Sequence, residues 1–232
     1  MAKQILDSLL SVKRPPKGQQ SVGDNMDANT SLERRFDFVG MKVEFDPRDR
    51  LSMDSWFSLS HQVVFQPLKA GDELQSHRSC SDTIYFLTEG VAREFSPRGD
   101  GIDVNRAFHR PYAVIGSLDS YNQHKNNSGT IQMVTDGEAF AISCAKLWAI
   151  MREQHDLRTW YRLAMCRNGA QMQTRLANLL SKNESQRLQE FAEESPDLVR
   201  AVPTQHLSNY LDVPSVVVNL VKKRVSLERE IA

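Results

Sequence analysis

The sequence predicts an α+β chain, with a β-rich middle followed by an all-helical C-terminal part, and three observations carry that reading. Between His61 and Ala141 short apolar runs (VVFQPLKAGDEL, TIYFLTEGVAREFS, NRAFHRPYAVIG, TIQMVTDGEAFAIS) follow one another with Gly, Asp and Pro between them. That spacing is the mark of an antiparallel sandwich or barrel. From Lys146 to about Leu180 the apolar period becomes helical. The stretch from Val202 to Arg224, VPTQHLSNYLDVPSVVVNLVKKR, reads as two short helices separated by a turn too small to be a loop.

Length and charge set bounds on function. A chain of 232 residues suits one large or two modest domains, and its 29 basic and 29 acidic residues cancel. No global field draws it to nucleic acid, so affinity for DNA has to come from a local cluster. No run approaches the roughly 18 consecutive apolar residues of a membrane span. The N-terminal MAKQILDSLLSVKRPP has too short an apolar core for a secretory signal, so a cytoplasmic protein with no membrane partner is expected. Cys80, Cys144 and Cys166 stand far apart with no metal-ligand spacing, which predicts reduced thiols and no metal site.

Taken in order, residues 1–35 read as a mobile tail, polar from 13 to 31. Ile5, Leu6, Leu9 and Leu10 permit a partner-binding arm there instead. Phe36, Phe38, Val43 and Phe45 alternate as a strand would, and Leu51 to Leu59 predicts a short helix. A β domain is expected over 36–148 and a long helix over 149–181, where about 30 residues make a rod of about 45 Å. Leu157, Tyr161, Met165, Met172, Leu176 and Leu179 fall on one stripe of it. Ser181 to Glu184 fits a capping box for a helix carrying Leu188 and Phe191 and ending before Pro196. In the last segment, 182–232, Leu207, Tyr210 and Leu211 give the first short helix its buried face. Asp212 ends that helix, and Pro214 starts a second whose Val217, Val218 and Val221 turn inward. Such a pair is the helix-turn-helix pattern, whose second helix lies in the DNA major groove. Thr204, Ser215, Val216, Asn219, Lys222, Lys223 and Arg224 are the candidate DNA-contacting residues.

These residues resemble the C-terminal motif of the bacterial CRP/FNR-type transcription regulators. The matches are Val202, Pro203, Leu207, Tyr210, Leu211, Val213, Val218, Val221 and the basic group Lys222, Lys223, Arg224. Asp212 stands where that family has a turn glycine, Val216 where a glutamate is common, and Leu220 where it has its base-reading arginine. Leu and Val cannot make the bidentate contact of arginine to guanine. Upstream, Lys69 to Asp72 is similar to the family's "KGE" turn, and Tyr85 to Val91 to its "YFI.EG.V". Ile115, Gly116, Ser117 and Leu118 are similar to the start of its phosphate-binding cassette. The resemblance covers residues 50 to 232 and implies a double-stranded β-helix (jelly roll) of the cyclic-nucleotide-binding type. It also implies a dimerisation helix formed by the stripe above, a helix-turn-helix domain, and DNA, a second copy of the chain and RNA polymerase as partners.

An ungapped count puts Ser117 and Asn127 where nucleotide-binding relatives carry the glutamate and arginine that hold ribose and cyclic phosphate. Neither supplies a charge-assisted bond. The pocket formed by Gly116, Ser117, Leu118, Asn127 and Ser128 is therefore expected to be degenerate, without cyclic AMP or any other cofactor. His77 and Cys80 lie where haem-dependent relatives bind metal, but without the packed apolar cavity that an axial pair needs. No nucleophile elbow, phosphate-cradling loop or apolar carboxylate pair indicates an enzyme. The expectation is a homodimeric CRP/FNR-like regulator unresponsive to cyclic AMP. An interaction module that kept the fold and lost DNA binding is the alternative.

Overall fold

The computed structural model describes residues 37–80, 82–98, 103–116 and 126–231, with side chains as far as residue 226. The tail expected over 1–35 lies outside them, as do Ser117 and Leu118. The β part contains β1 (Val64–Leu68), β2 (Glu73–Gln75), β3 (Thr83–Glu89), β4 (Ala92–Pro97), β5 (Asp103–His109), β6 (Val114–Ile115), β7 (Thr130–Met133) and β8 (Gly137–Ser143). The pairs β4·β5, β3·β6, β2·β7 and β1·β8 are all antiparallel and nest one inside the next, as in one long hairpin rolled up on itself. The roll divides into sheets ordered β1-β8-β3-β6 and β2-β7-β4-β5. This is the jelly-roll arrangement, and it leaves β5 and β6 as edges on one side. Gly90, at φ 86, makes the β3 to β4 turn where a Cβ would lie 2.7 Å from the Asp136 carbonyl oxygen, a conformation and an approach that only glycine meets.

Side-chain alternation fills the roll. Leu68, Leu74, Leu87, Ala92, Ile115, Ile131, Met133 and Ala139 are buried in one cluster that takes in both sheets. A second, aromatic cluster covers the outside of the β1-β8-β3-β6 sheet. It draws on α2 (Met53–Ser60), α3 (Cys144–Glu153) and the first turns of α4 (His155–Ser181). Trp56 stacks on Phe38 at 4.6 Å and donates its indole N–H to the carbonyls of Phe38 and Val39. Phe38 and Phe45 therefore do serve a core, but from helical turns: residues 37–40 and α1 (Lys42–Phe45) are helical where alternation predicted a strand. Phe38 and Phe45, seven apart, fall on one side of two helical turns while Val43 is exposed, and the aromatic partners that favour this arrangement over a strand are remote in sequence.

The long helix is broken. α3 ends at Gln154, whose extended backbone separates it from α4. At that break Asp156 accepts from the Ser55 hydroxyl at 2.6 Å and from the Ser52 amide at 2.9 Å, fastening α4 to the start of α2. Burial pushes the Asp156 carboxyl up, and the bonds from Ser55 and Ser52 outweigh it, bringing it to about 2. Four shorter helices follow: α5 (Glu184–Glu194), α6 (Pro196–Ala201), α7 (Thr204–Leu211) and α8 (Ser215–Ile231). The capping box of α5 is real but sits on Asn183 and Gln186, two residues beyond the position the sequence suggested.

Candidate nucleic-acid interface

The C-terminal helices are built around Leu188, Leu198, Val202, Leu207, Leu211, Val213 and Val218, all buried together. Val91 and Phe108 of the roll belong to the same cluster, so α7 is seated on β5. Polar bonds set its position. The Asn105 amide N–H donates to Asn209 Oδ1 at 2.6 Å, and Asn105 Nδ2 to the His206 carbonyl at 3.0 Å. Buried Arg93 reaches His206 Nδ1 at 3.4 Å, Asn105 Oδ1 at 3.2 Å and Asp103 at 3.2 Å. Burial, with the Arg93 charge adding to it, lowers the His206 pKa from its ordinary 6.5.

The turn between α7 and α8 keeps a left-handed residue without the glycine. Asp212 adopts φ 53, ψ 55, a conformation that Asp tolerates better than most side chains. Arg187 secures it from α5, donating to the carbonyls of Leu211 and Asp212 at 2.7 Å each. The Ser208 hydroxyl closes the turn on the Val213 carbonyl at 2.6 Å.

With Val218 fully buried, α8 presents its opposite side to solvent. That side carries Val216 and Leu220, 71% and 63% exposed, then exposed Lys223 and Arg224 one turn further on. Val217, expected inward, is 40% exposed. Thr204 donates to Asn219 Oδ1 at 2.6 Å beside this ridge, and Ser215 is exposed at the start of the helix. Lys222 departs from expectation, because its ammonium turns back and donates to the Val202 carbonyl at the end of α6. Burial lowers its pKa. A position that spacing assigns to phosphate is therefore used to close a helix terminus.

In the effector region the structure places Asn127, Gly116 and Ser128, while Ser117 and Leu118 lie outside the described residues. Asn127 is 6% exposed and turned into the protein, where its Nδ2 donates to the carbonyls of Ser76 at 2.9 Å and Ser79 at 2.8 Å. It ties down the loop that holds His77 and Cys80. His77 Nδ1 is in turn 2.7 Å from the Thr130 hydroxyl, and no cluster of metal-ligating side chains forms among the described residues. Gly116, at φ 118, leaves β6 where a Cβ would lie 2.8 Å from the Thr83 carbonyl oxygen. Ser128 is held by Arg106, whose guanidinium donates to its carbonyl at 2.8 Å and its hydroxyl at 3.2 Å.

Arg106 was missed by the sequence reading, as were its neighbours Glu94 and His109. Glu94 lies 3.6 Å from Arg106 and 3.5 Å from His109, and both Glu94 and His109 are buried. Charged residues inside short apolar strands, as in AREFS and NRAFH, are the signal that marks them. Between β5, β6, α4 and the C-terminal helices a cavity of about 680 Å³ is lined by Arg106, His109, Trp160, Asn168 and Arg175, among others.

The stripe on α4 is split in its use. Leu157 and Tyr161 are buried in the chain's own aromatic core, Met165 packs against that core, Met172 touches Arg106, and Leu179 lines the cavity. Of that stripe only Leu176 is exposed. The outward face carries Arg162, Cys166, Gly169, Gln173, Leu176 and Leu180, all exposed and spaced alternately four and three apart.

No protein-family model and no curated protein matches the sequence. Solved structures do share its fold. FixK2 from Bradyrhizobium japonicum matches with a TM-score of 0.62 at 13% identity, over 72% of this chain and 85% of that one. A transcriptional regulator of the CRP/FNR family from Eubacterium rectale matches at 0.57 and 12% identity, over 77% of this chain and 85% of that one. The c-di-GMP-responsive regulator CLP of Xanthomonas campestris matches at 0.55 and 9% identity, over 76% of this chain and 93% of that one. The chain thus has the architecture of these regulators, a cyclic-nucleotide-binding-type roll followed by a long helix and a helix-turn-helix, at identities that speak for fold alone.

Proposed function

We propose that this chain is a DNA-binding transcription regulator of the CRP/FNR type that works as a homodimer and does not answer to cyclic AMP. The observation that carries the reading is the outward ridge of α8. It is held away from the core by Val218 and furnished with Lys223 and Arg224, on a helix whose entry turn is kept despite the loss of its glycine. Lys223 and Arg224 contact phosphates, which position a protein on the duplex. Asn127 is occupied with the Ser76 to Ser79 turn, which supports an effector region without the phosphate-holding arginine.

The direct test is recovery of DNA crosslinked to the protein in its native cell, followed by titration of purified protein on the recovered duplex at several salt concentrations. A shared palindrome with half-sites one helical turn apart is the expected result. Lys223→Ala should weaken binding almost equally on all duplexes and reduce the salt slope by about 1, whereas Lys222→Ala should lower thermal stability first. No binding to any duplex at low salt would overturn the proposal. It would favour a protein-interaction module, for which the exposed Val216 and Leu220 are the supporting observation.

A further inference from the structure

The ridge that faces away from the core has an order along it. Val216 and Leu220 are one turn apart, Lys223 and Arg224 follow one turn later, and Ser215 and Asn219 flank the two apolar residues. Val216 and Leu220 carry no hydrogen-bonding atom, yet they occupy the outermost positions of the first two turns, where a helix in the major groove meets base edges. Of the four bases only thymine offers an apolar group there, its C5 methyl, beside an O4 acceptor. Asn219 fits the rest of that edge: Thr204 occupies its carbonyl oxygen, so its NH2 is the group left to donate, as an O4 acceptor requires.

We infer that Val216 and Leu220 read the C5 methyl groups of thymine, so that this helix selects T-containing steps in place of guanine. The inference rests on the proposed DNA binding and names the base class that the same surface recognises. The basic turn on the same ridge is the charge complementarity on which nucleic acid is taken as the occupant. Having valine and leucine in place of acidic and basic readers then changes what is read while the mode of docking is kept.

The test uses the full chain and a duplex recovered by selection from a randomised pool. Replacing each thymine of that site by deoxyuridine removes one methyl and keeps the base pair and O4. Affinity should fall about fourfold for every methyl that Val216 or Leu220 covers, with no change in salt slope. Val216→Ala and Leu220→Ala, at exposed positions that leave the melting temperature unchanged, should shrink the thymine-to-uridine ratio, while Lys223→Ala should leave that ratio intact. Equal affinity for the thymine and uridine duplexes would overturn the inference and leave the proposed DNA binding standing. Failure to bind any duplex at low salt would overturn both, and selective capture of a protein instead of DNA would have the same meaning.

Discussion

Asn127 shows what a side chain does at a position where position-by-position reading can only say what is missing. Counting along the chain put it where nucleotide-binding relatives carry an arginine, in a pocket expected to be degenerate, and its amide holds two carbonyls of a turn some fifty residues upstream. Asn127→Ala should strand those carbonyls and destabilise the protein by about 1–3 kcal/mol, measured by denaturant unfolding. Asn127→Arg, which places there the charge that nucleotide-binding relatives carry, should destabilise as well, because the Asn127 side chain is buried, and calorimetry should still show no heat with cyclic AMP. Micromolar binding by either the variant or the wild type would show that the effector region is open. Asp212 is the opposite case. The sequence flagged it as a departure, and the structure shows the left-handed geometry intact. Asp212→Gly should hold or raise the melting temperature, and Asp212→Val should lower it by the equivalent of about 1–2 kcal/mol.

At the scale of elements, the strands, the two helices of the C-terminal motif and the long helix were legible because each has its own period. What the sequence did not show is how α7 sits on β5. That seat depends on Arg93, marked only as a charge inside a short strand, and on Asn105, His206 and Asn209, polar residues with no pattern to mark them. Its chemistry predicts a pH dependence. Above the ordinary histidine value of 6.5 His206 is neutral in both the folded and the unfolded chain, and the seat is at full strength. The folded pKa is lowered by burial and by Arg93. As the pH falls below 6.5 the unfolded chain therefore binds the proton first, and stability declines. Thermal unfolding followed from pH 7.5 to 5.5 should show this decline, and His206→Gln, which keeps a polar side chain but cannot titrate, should remove it. An unchanged slope in the variant would assign the dependence to another group.

For the whole molecule the open matter is how two copies would meet, and here packing revises the sequence argument. A stripe of apolar residues on α4 suggested a seam, but an apolar stripe is equally what a helix needs to cover its own domain, and Leu157, Tyr161 and Met165 are used that way. The face that remains, Arg162, Cys166, Gly169, Gln173, Leu176 and Leu180, repeats at four and three residues, the spacing by which two helices wind about each other. Gly169 supports that use. A glycine inside a helix costs about 1 kcal/mol relative to alanine, and a Cβ at this one would meet nothing within 4 Å of its own chain, so the close approach it allows has no partner within the monomer. Leu176 and Leu180, 57% and 80% exposed, are left in water unless a second copy covers them. Replacing both with glutamate should therefore shift the mass in solution from dimer to monomer without lowering the melting temperature of the monomer, whereas glutamate at Met165 should unfold it. Cys166 offers an independent reading. In a parallel pair its thiol faces its own copy, so mild oxidation should crosslink the wild type into a dimer and leave Cys166→Ser unlinked. A wild type that is monomeric at micromolar concentration and does not crosslink would remove α4 as the seam, and with it the two-helix spacing on which recognition of a palindrome depends.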